Sequence, residues 1–105
     1  MARAIWKYTI GFLQGGFGEF DIPDPGFITA VGNEGPDVVV FWAEVDPSPR
    51  ARTSQRSFQI HGTGHPIPEG QVYVGTTQTV ITTDSPRGHN HRSGPVWHLY
   101  EVPRA

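Results

Sequence analysis

Apolar and polar positions alternate in short runs along this chain, and glycine or proline interrupts almost every run. "AIWKYTI" (4–10) sets Trp6, Tyr8 and Ile10 against Lys7 and Thr9, and "GEFDI" (18–22) sets Phe20 and Ile22 against Glu19 and Asp21. "FITAV" (27–31), "VVVFWAEV" (38–45), "RSFQIH" (56–61) and "PVWHLYEV" (95–102) continue the series, and "QVYVGTTQTVITT" (71–83) reads as one long strand or as two joined by a bulge at Gly75. The most apolar run, 38–45, belongs at the centre of a sheet. Between the runs, "PDPG" (23–26) and "NEGPD" (33–37) are turns, while "DPSPRARTS" (46–54) and "DSPRGHNHRSG" (84–94) read as exposed polar loops. No window of twelve or more residues keeps apolar positions at i, i+3, i+4 and i+7. Strands at this spacing predict an all-β protein, a small antiparallel sandwich or barrel of about seven to eight strands with little or no helix.

The chain has 105 residues, which suits a single β domain over 1–105 and a core that needs no staples. It has no cysteine, so disulfides and thiolate metal sites are excluded. No apolar run approaches the ~20 residues of a membrane helix, and nothing at the N-terminus resembles a signal peptide. A protein retained inside the cell, with no membrane contact, is the expectation.

Formal net charge is −2, which argues against general nucleic-acid binding. Its distribution is uneven. Residues 1–49 set Arg3 and Lys7 against seven acids, and residues 50–105 set six arginines against Glu69, Asp84 and Glu101. Five of those arginines fall within 50–56 and 87–92. Solvated loops account for this, and so would an anion site or complementary faces that self-associate.

"HGTGHPIPEG" (61–70) is the densest glycine and proline stretch with histidines. It fails the dinucleotide fingerprint: Ile67 stands where a third glycine belongs, and Pro66 and Pro68 prevent a helix from opening. A nest of N–H groups around Gly62, Thr63 and Gly64 could still hold an anion. Equally, the glycines supply positive φ and the prolines stiffen the turn. His65 offers the chemistry of this loop, although such a histidine often just bonds to backbone. His89 and His91 stand at i and i+2, with His98 downstream, and no acid or cysteine completes a metal set, so no metal site and no cofactor is assigned. Trp6, Trp42 and Trp97 lie in strands, where indoles supply core area or, on an open face, a stacking platform. Trp97 and His98 point to opposite faces of a regular strand, so one of them should be the more accessible.

"IWKYTI" (5–10), "FWAEVDP" (41–47), "FQIHGTGHPIP" (58–68), "YVGTTQ" (73–78) and "VWHLYE" (96–101) occur together and in this order. As a set they resemble a family of small proteins encoded in bacteriophage and prophage genomes, with no established activity. The resemblance spans nearly the whole chain, and the longer segment 79–94 departs from it. It implies a viral accessory protein acting in the cytoplasm of the bacterial host, and it transfers no catalytic residue.

Three functions follow as expectations. The first is a non-enzymatic binding module that engages a host protein or sequesters an anionic nucleotide-type signal of host defence. Its ligand contacts would come from Gly62, Thr63, Gly64, His65, Arg56, Arg52 and Trp97. The second is an assembly protein such as a capsid decoration subunit, tiling through oppositely charged surfaces. The third is a small phosphodiester hydrolase using His65 and a carboxylate, with metal at His89 and His91. Under the first two readings the protein is a homo-oligomer, with the 61–70 loop at or near a subunit interface.

Overall fold

Alternating runs place every second side chain on one face, and the chain buries that face by stacking two sheets. In the computed structural model, which describes residues 2–12, 15–85 and 88–104 apart from the side chains of 81–85 and 89–92, these runs form seven strands. They are β1 (Ala4–Gly11), β2 (Phe17–Pro23), β3 (Pro25–Asn33), β4 (Val38–Val45), β5 (Thr53–Gly62), β6 (Val72–Ser85) and β7 (Gly88–Val102). A three-stranded sheet runs β1-β4-β3 and a four-stranded sheet runs β2-β5-β7-β6, with antiparallel pairing throughout. The arrangement is a sandwich and not a closed barrel. No helix among the described residues is long and apolar enough to cross a membrane.

β4 takes the central place in its sheet that its composition demands. Val39, Phe41, Ala43 and Val45 point inward and are fully buried, and Val40 is buried on the opposite face. Facing them, Phe58, Ile60 and Leu99 come from β5 and β7. An aromatic cluster joins the sheets: Tyr8 stacks on Phe41 at 5.2 Å, Phe20 meets both rings edge-on, and Phe41 lies 4.6 Å from Phe58. Such pairs add to the large area these rings bury.

Two expectations change. "PDPG" is not a four-residue turn, since β2 ends at Pro23, β3 begins at Pro25, and Asp24 alone makes the corner between sheets. The stretch 84–94 is not a loop. Asp84 pairs with His89 and Ser85 with Gly88, so β6 and β7 form one long hairpin. Pairing of β5 with β7 stops at Gly62 and Trp97, so the outer part of this hairpin is a two-stranded ribbon. A ribbon without a third strand does not require an apolar face, which is why a polar sequence can adopt it.

One core group lacks a partner. Among the described residues, Tyr8 Oη is buried and makes no hydrogen bond. Burial raises the Tyr8 pKa above its ordinary 10.0, and the positive charge of Arg56 offsets part of that rise. The folded state therefore prefers the neutral phenol. That preference is in place below the unfolded pKa and is lost as pH rises through the raised folded value. Tyr8→Phe is expected to match the wild type at pH 7 or exceed it by up to ~1 kcal/mol, because it deletes an unpaired buried hydroxyl. Urea melts should show a smaller loss of stability between pH 9 and 11 in Tyr8→Phe than in the wild type. An equal alkaline loss in both proteins would refute the assignment.

Candidate functional site

Inward parity along β5 belongs to Phe58 and Ile60, so Gln59 and His61 face outward. β7 pairs Tyr100 with Gln59 and His98 with His61, which puts those two side chains on the same outer face. β6 adds Tyr73 opposite Tyr100 and Thr76 opposite His98. Tyr73 and Thr76 are three residues apart and would face opposite ways in a regular strand. The register shift between Tyr73 and Gly75 inserts the extra residue that brings both onto the outer face. The expected bulge at Gly75 is thus present, and it aims side chains.

Two rows of uncharged polar and aromatic residues result. One row is Phe17–Gln59–Tyr100–Tyr73 and the other is His61–His98–Thr76. Hydrogen bonds tie the two rows to each other. Tyr73 Oη lies 2.7 Å from Thr76 Oγ1, Thr76 Oγ1 lies 3.1 Å from His98 Nδ1, and His98 Nε2 lies 2.9 Å from Thr63 Oγ1. Gln71 bridges the other pair: its Nε2 donates to Gln59 Oε1 at 2.8 Å, and its Oε1 lies 2.7 Å from His61 Nε2. With the amide in that orientation, His61 Nε2 carries the proton and donates it. His61 is only 7% exposed although it sits on an outer face, and the Tyr100 ring meets it edge-on at 5.5 Å. Tyr73, at the open end, is 56% exposed and Thr63 is exposed as well.

The Tyr73–Thr76–His98–Thr63 chain has a specific chemical property. Every hydroxyl in it both donates and accepts, and a neutral imidazole donates through one nitrogen and accepts through the other. The chain can therefore run in either direction, so Thr63 can present a donor or an acceptor to a ligand. A hydroxyl beside an imidazole is also the geometry of an activated nucleophile. Here the second imidazole nitrogen meets the Thr76 hydroxyl, where hydrolytic triads place a carboxylate.

The loop residues expected to form a site divide between two ends of β5. Gly62, Thr63, His65 and Trp97 come together. A Cβ at Gly62 would lie 2.9 Å from His65 Cε1 and 3.3 Å from Trp97 Cζ3, so glycine is needed there for close approach. Gly64, at φ +88°, makes the turn itself. His65 folds back on this turn: its N–H donates to the Gly62 carbonyl and its Nδ1 accepts from the Gly62 N–H. Trp97 points inward, 4.2 Å from the Phe12 ring, and its Nε1–H donates to the Pro36 carbonyl. His98 does face the opposite way, but both residues are half-buried.

Arg56 and Arg52 are elsewhere. Six residues of strand separate Arg56 from Gly62, about 20 Å at the usual rise, and Arg52 lies farther still. Arg56 shares the inward parity of Phe58 and Ile60. Its Nε and Nη2 donate to both Glu101 carboxylate oxygens at 2.8 Å, its Nη1 donates to the Gly26 carbonyl at 2.6 Å, and its guanidinium lies 5.5 Å from the Phe58 ring. The Glu101 hydrogen bonds raise its pKa further, against the opposing effect of burial. A cleft of about 410 Å³ lies at the Arg52 end, lined by Ala2, Arg3, Asp24, Pro25 and Asp46, and does not touch the loop.

Among the described residues, no group of three or more His, Asp or Glu side chains converges as a metal would require. The side chains of His89 and His91 lie outside the described residues. Sequence reasoning overlooked Gln59, His61, Gln71, Tyr73, Thr76 and Tyr100 as a group. Parity was a usable signal for part of the group: Gln59 and His61 on β5, and His98 and Tyr100 on β7, hold outward positions.

Comparison with curated proteins and with solved structures gives no match. A family model does match, over residues 1–105, and the chain therefore belongs to the family described as domain of unknown function DUF7352.

Proposed function

We propose that this chain is a non-enzymatic binding module that holds a neutral, hydroxyl- or amide-bearing partner on the outer face of β5, β7 and β6. The supporting observation is the Tyr73–Thr76–His98–Thr63 hydrogen-bond chain, fixed on the sheet and ending at an exposed hydroxyl. Pre-ordered groups lose little freedom on binding, which favours recognition. Tyr73 and Tyr100 supply apolar faces beside the polar groups, a mixture that suits a sugar ring or a peptide amide. Neither row contains a charged side chain, and Arg56 is committed to Glu101 and Gly26. An uncharged ligand therefore fits this face better than an anionic nucleotide does. The resemblance to phage-encoded proteins supports placing the module in the cytoplasm of an infected bacterium.

The test is a two-dimensional NMR titration of the whole chain with neutral oligosaccharides, short peptides, cyclic dinucleotides and ADP-ribose. Shifts should centre on Thr63, Tyr73, Thr76, His98 and Tyr100 with a neutral ligand. Tyr73→Ala should weaken that binding about tenfold or more, as for a central aromatic anchor. Arg52→Ala should leave it unchanged. Shifts confined to nucleotides and centred on Arg52 would overturn this reading, as would no response to any neutral ligand.

A further inference from the structure

We infer that β1 is the interface through which two copies of this chain pair edge to edge. The inference comes from comparing the edges of the four strands that border the two sheets, β1, β3, β2 and β6. Proteins guard such edges with proline, bulges, charges or covering groups, because a bare edge recruits another strand. Three of the four edges here carry those guards. β2 holds Glu19 and Asp21 on one face and ends in Pro23, and like charges brought opposite each other oppose self-pairing. β3 begins with Pro25, and its register against β4 shifts twice. β6 shifts register twice against β7, and Asn33 Nδ2 covers its Gln78 carbonyl from the other sheet.

β1 has none of these. It pairs with β4 through eight successive residues, Ala4 to Gly11, without a register shift, and it contains no proline. Lys7, the residue that would normally guard the edge, is neutralised by Glu34 at 2.8 Å, and Arg3 by Glu44 at 3.0 Å. Large apolar side chains are exposed on both faces of this one strand, Ile5 at 54% and Trp6 at 41%. A regular, charge-neutral strand with apolar groups on both faces is suited to pairing along about 26 Å of edge.

The occupant is a second copy. Antiparallel self-pairing of one strand is isologous, so the contact closes after two subunits and leaves no further edge of the same kind. The two three-stranded sheets then become one six-stranded sheet with order β3-β4-β1-β1-β4-β3. The contact is small, so exchange between monomer and dimer in the micromolar range is expected. This pairing is independent of the ligand face, which lies on the other sheet.

Sedimentation over a wide concentration range tests it. The mass should rise from 11.6 kDa toward twice that value. Ile5→Lys, placing a new charge on an already exposed position, should raise the dissociation constant at least tenfold with unchanged circular dichroism. Because the chain has no cysteine, single cysteines report the contact directly. Cysteines introduced one at a time at Ile5, Trp6 and Lys7 should include at least one that forms an intermolecular disulfide under mild oxidation. A cysteine replacing Thr29 on β3 should not. A monomer at every concentration, or a dimer indifferent to Ile5→Lys and cross-linked through position 29, would overturn the inference.

Discussion

Gly75→Val is expected to lower the unfolding free energy by about 2–3 kcal/mol, at the upper end of the cost of overpacking. A Cβ at Gly75 would lie 2.6 Å from Val31 Cγ2 and 3.1 Å from Val31 Cβ. Val31 is β-branched and held in β3 of the opposite sheet, so it has no easy rotamer to retreat to. The clash sits where β3 and β6 approach, and relief requires the sheets to separate. Val31→Ala should relieve much of it. Gly75→Ala in the Val31→Ala background should therefore cost clearly less than Gly75→Ala alone. A cycle of four urea melts measures this, and simple additivity within ~0.5 kcal/mol would show that the two residues do not collide. Because the same bulge aims Tyr73 and Thr76 at one face, Gly75→Val should also shift the His98 imidazole resonances.

Glu101→Ala is expected to cost about 2–3 kcal/mol. The substitution strands the Arg56 guanidinium with two of its donors unpaired. Breaking a fully buried pair costs about 3–5 kcal/mol. The Arg56 and Glu101 side chains keep 23% and 29% of their exposure, which places this pair below that range. A double replacement, Arg56→Met with Glu101→Met, should cost less than Glu101→Ala alone, because both desolvation penalties disappear together. Denaturant melts of the single and double variants decide it. If the double variant loses as much as the sum of the two singles, Arg56 and Glu101 do not act as a unit.

Parity explains both what the sequence disclosed and what it concealed. Alternation about Phe58 and Ile60 located β5 and already assigned Arg56 to the inner side. Its position at the end of an arginine-rich stretch suggested a loop cation, and that local composition outweighed the periodicity. Outward parity for His61 and His98 was equally legible. Their union with Gln71, Tyr73 and Thr76 was not, because it depends on strand order and on a one-residue bulge that reverses facing within β6. The stretch 84–94 was misread for a different reason. Polarity signals a loop only where a strand must bury one face, and the outer β6–β7 ribbon is under no such demand. The sandwich itself was legible because turn residues punctuate the apolar runs at strand-like intervals.

The interleaved strand order also sets a timetable for synthesis. β1 finds its sheet partner in β4, and β2 finds its partner in β5. About 34 residues separate Gly11 from Val45, which at roughly 5–20 residues per second is a wait of roughly two to seven seconds on the ribosome. During that interval β1 has no partner in its own chain, and Ile5 and Trp6 are open to neighbouring nascent chains. The three-stranded sheet has all its strands once Val45 has been made, but the four-stranded sheet must pair β2 with strands of the second half and waits for β7 to be complete at Val102. Folding is therefore a late event governed by distant pairings, with rates in the slow range typical of β-sandwiches.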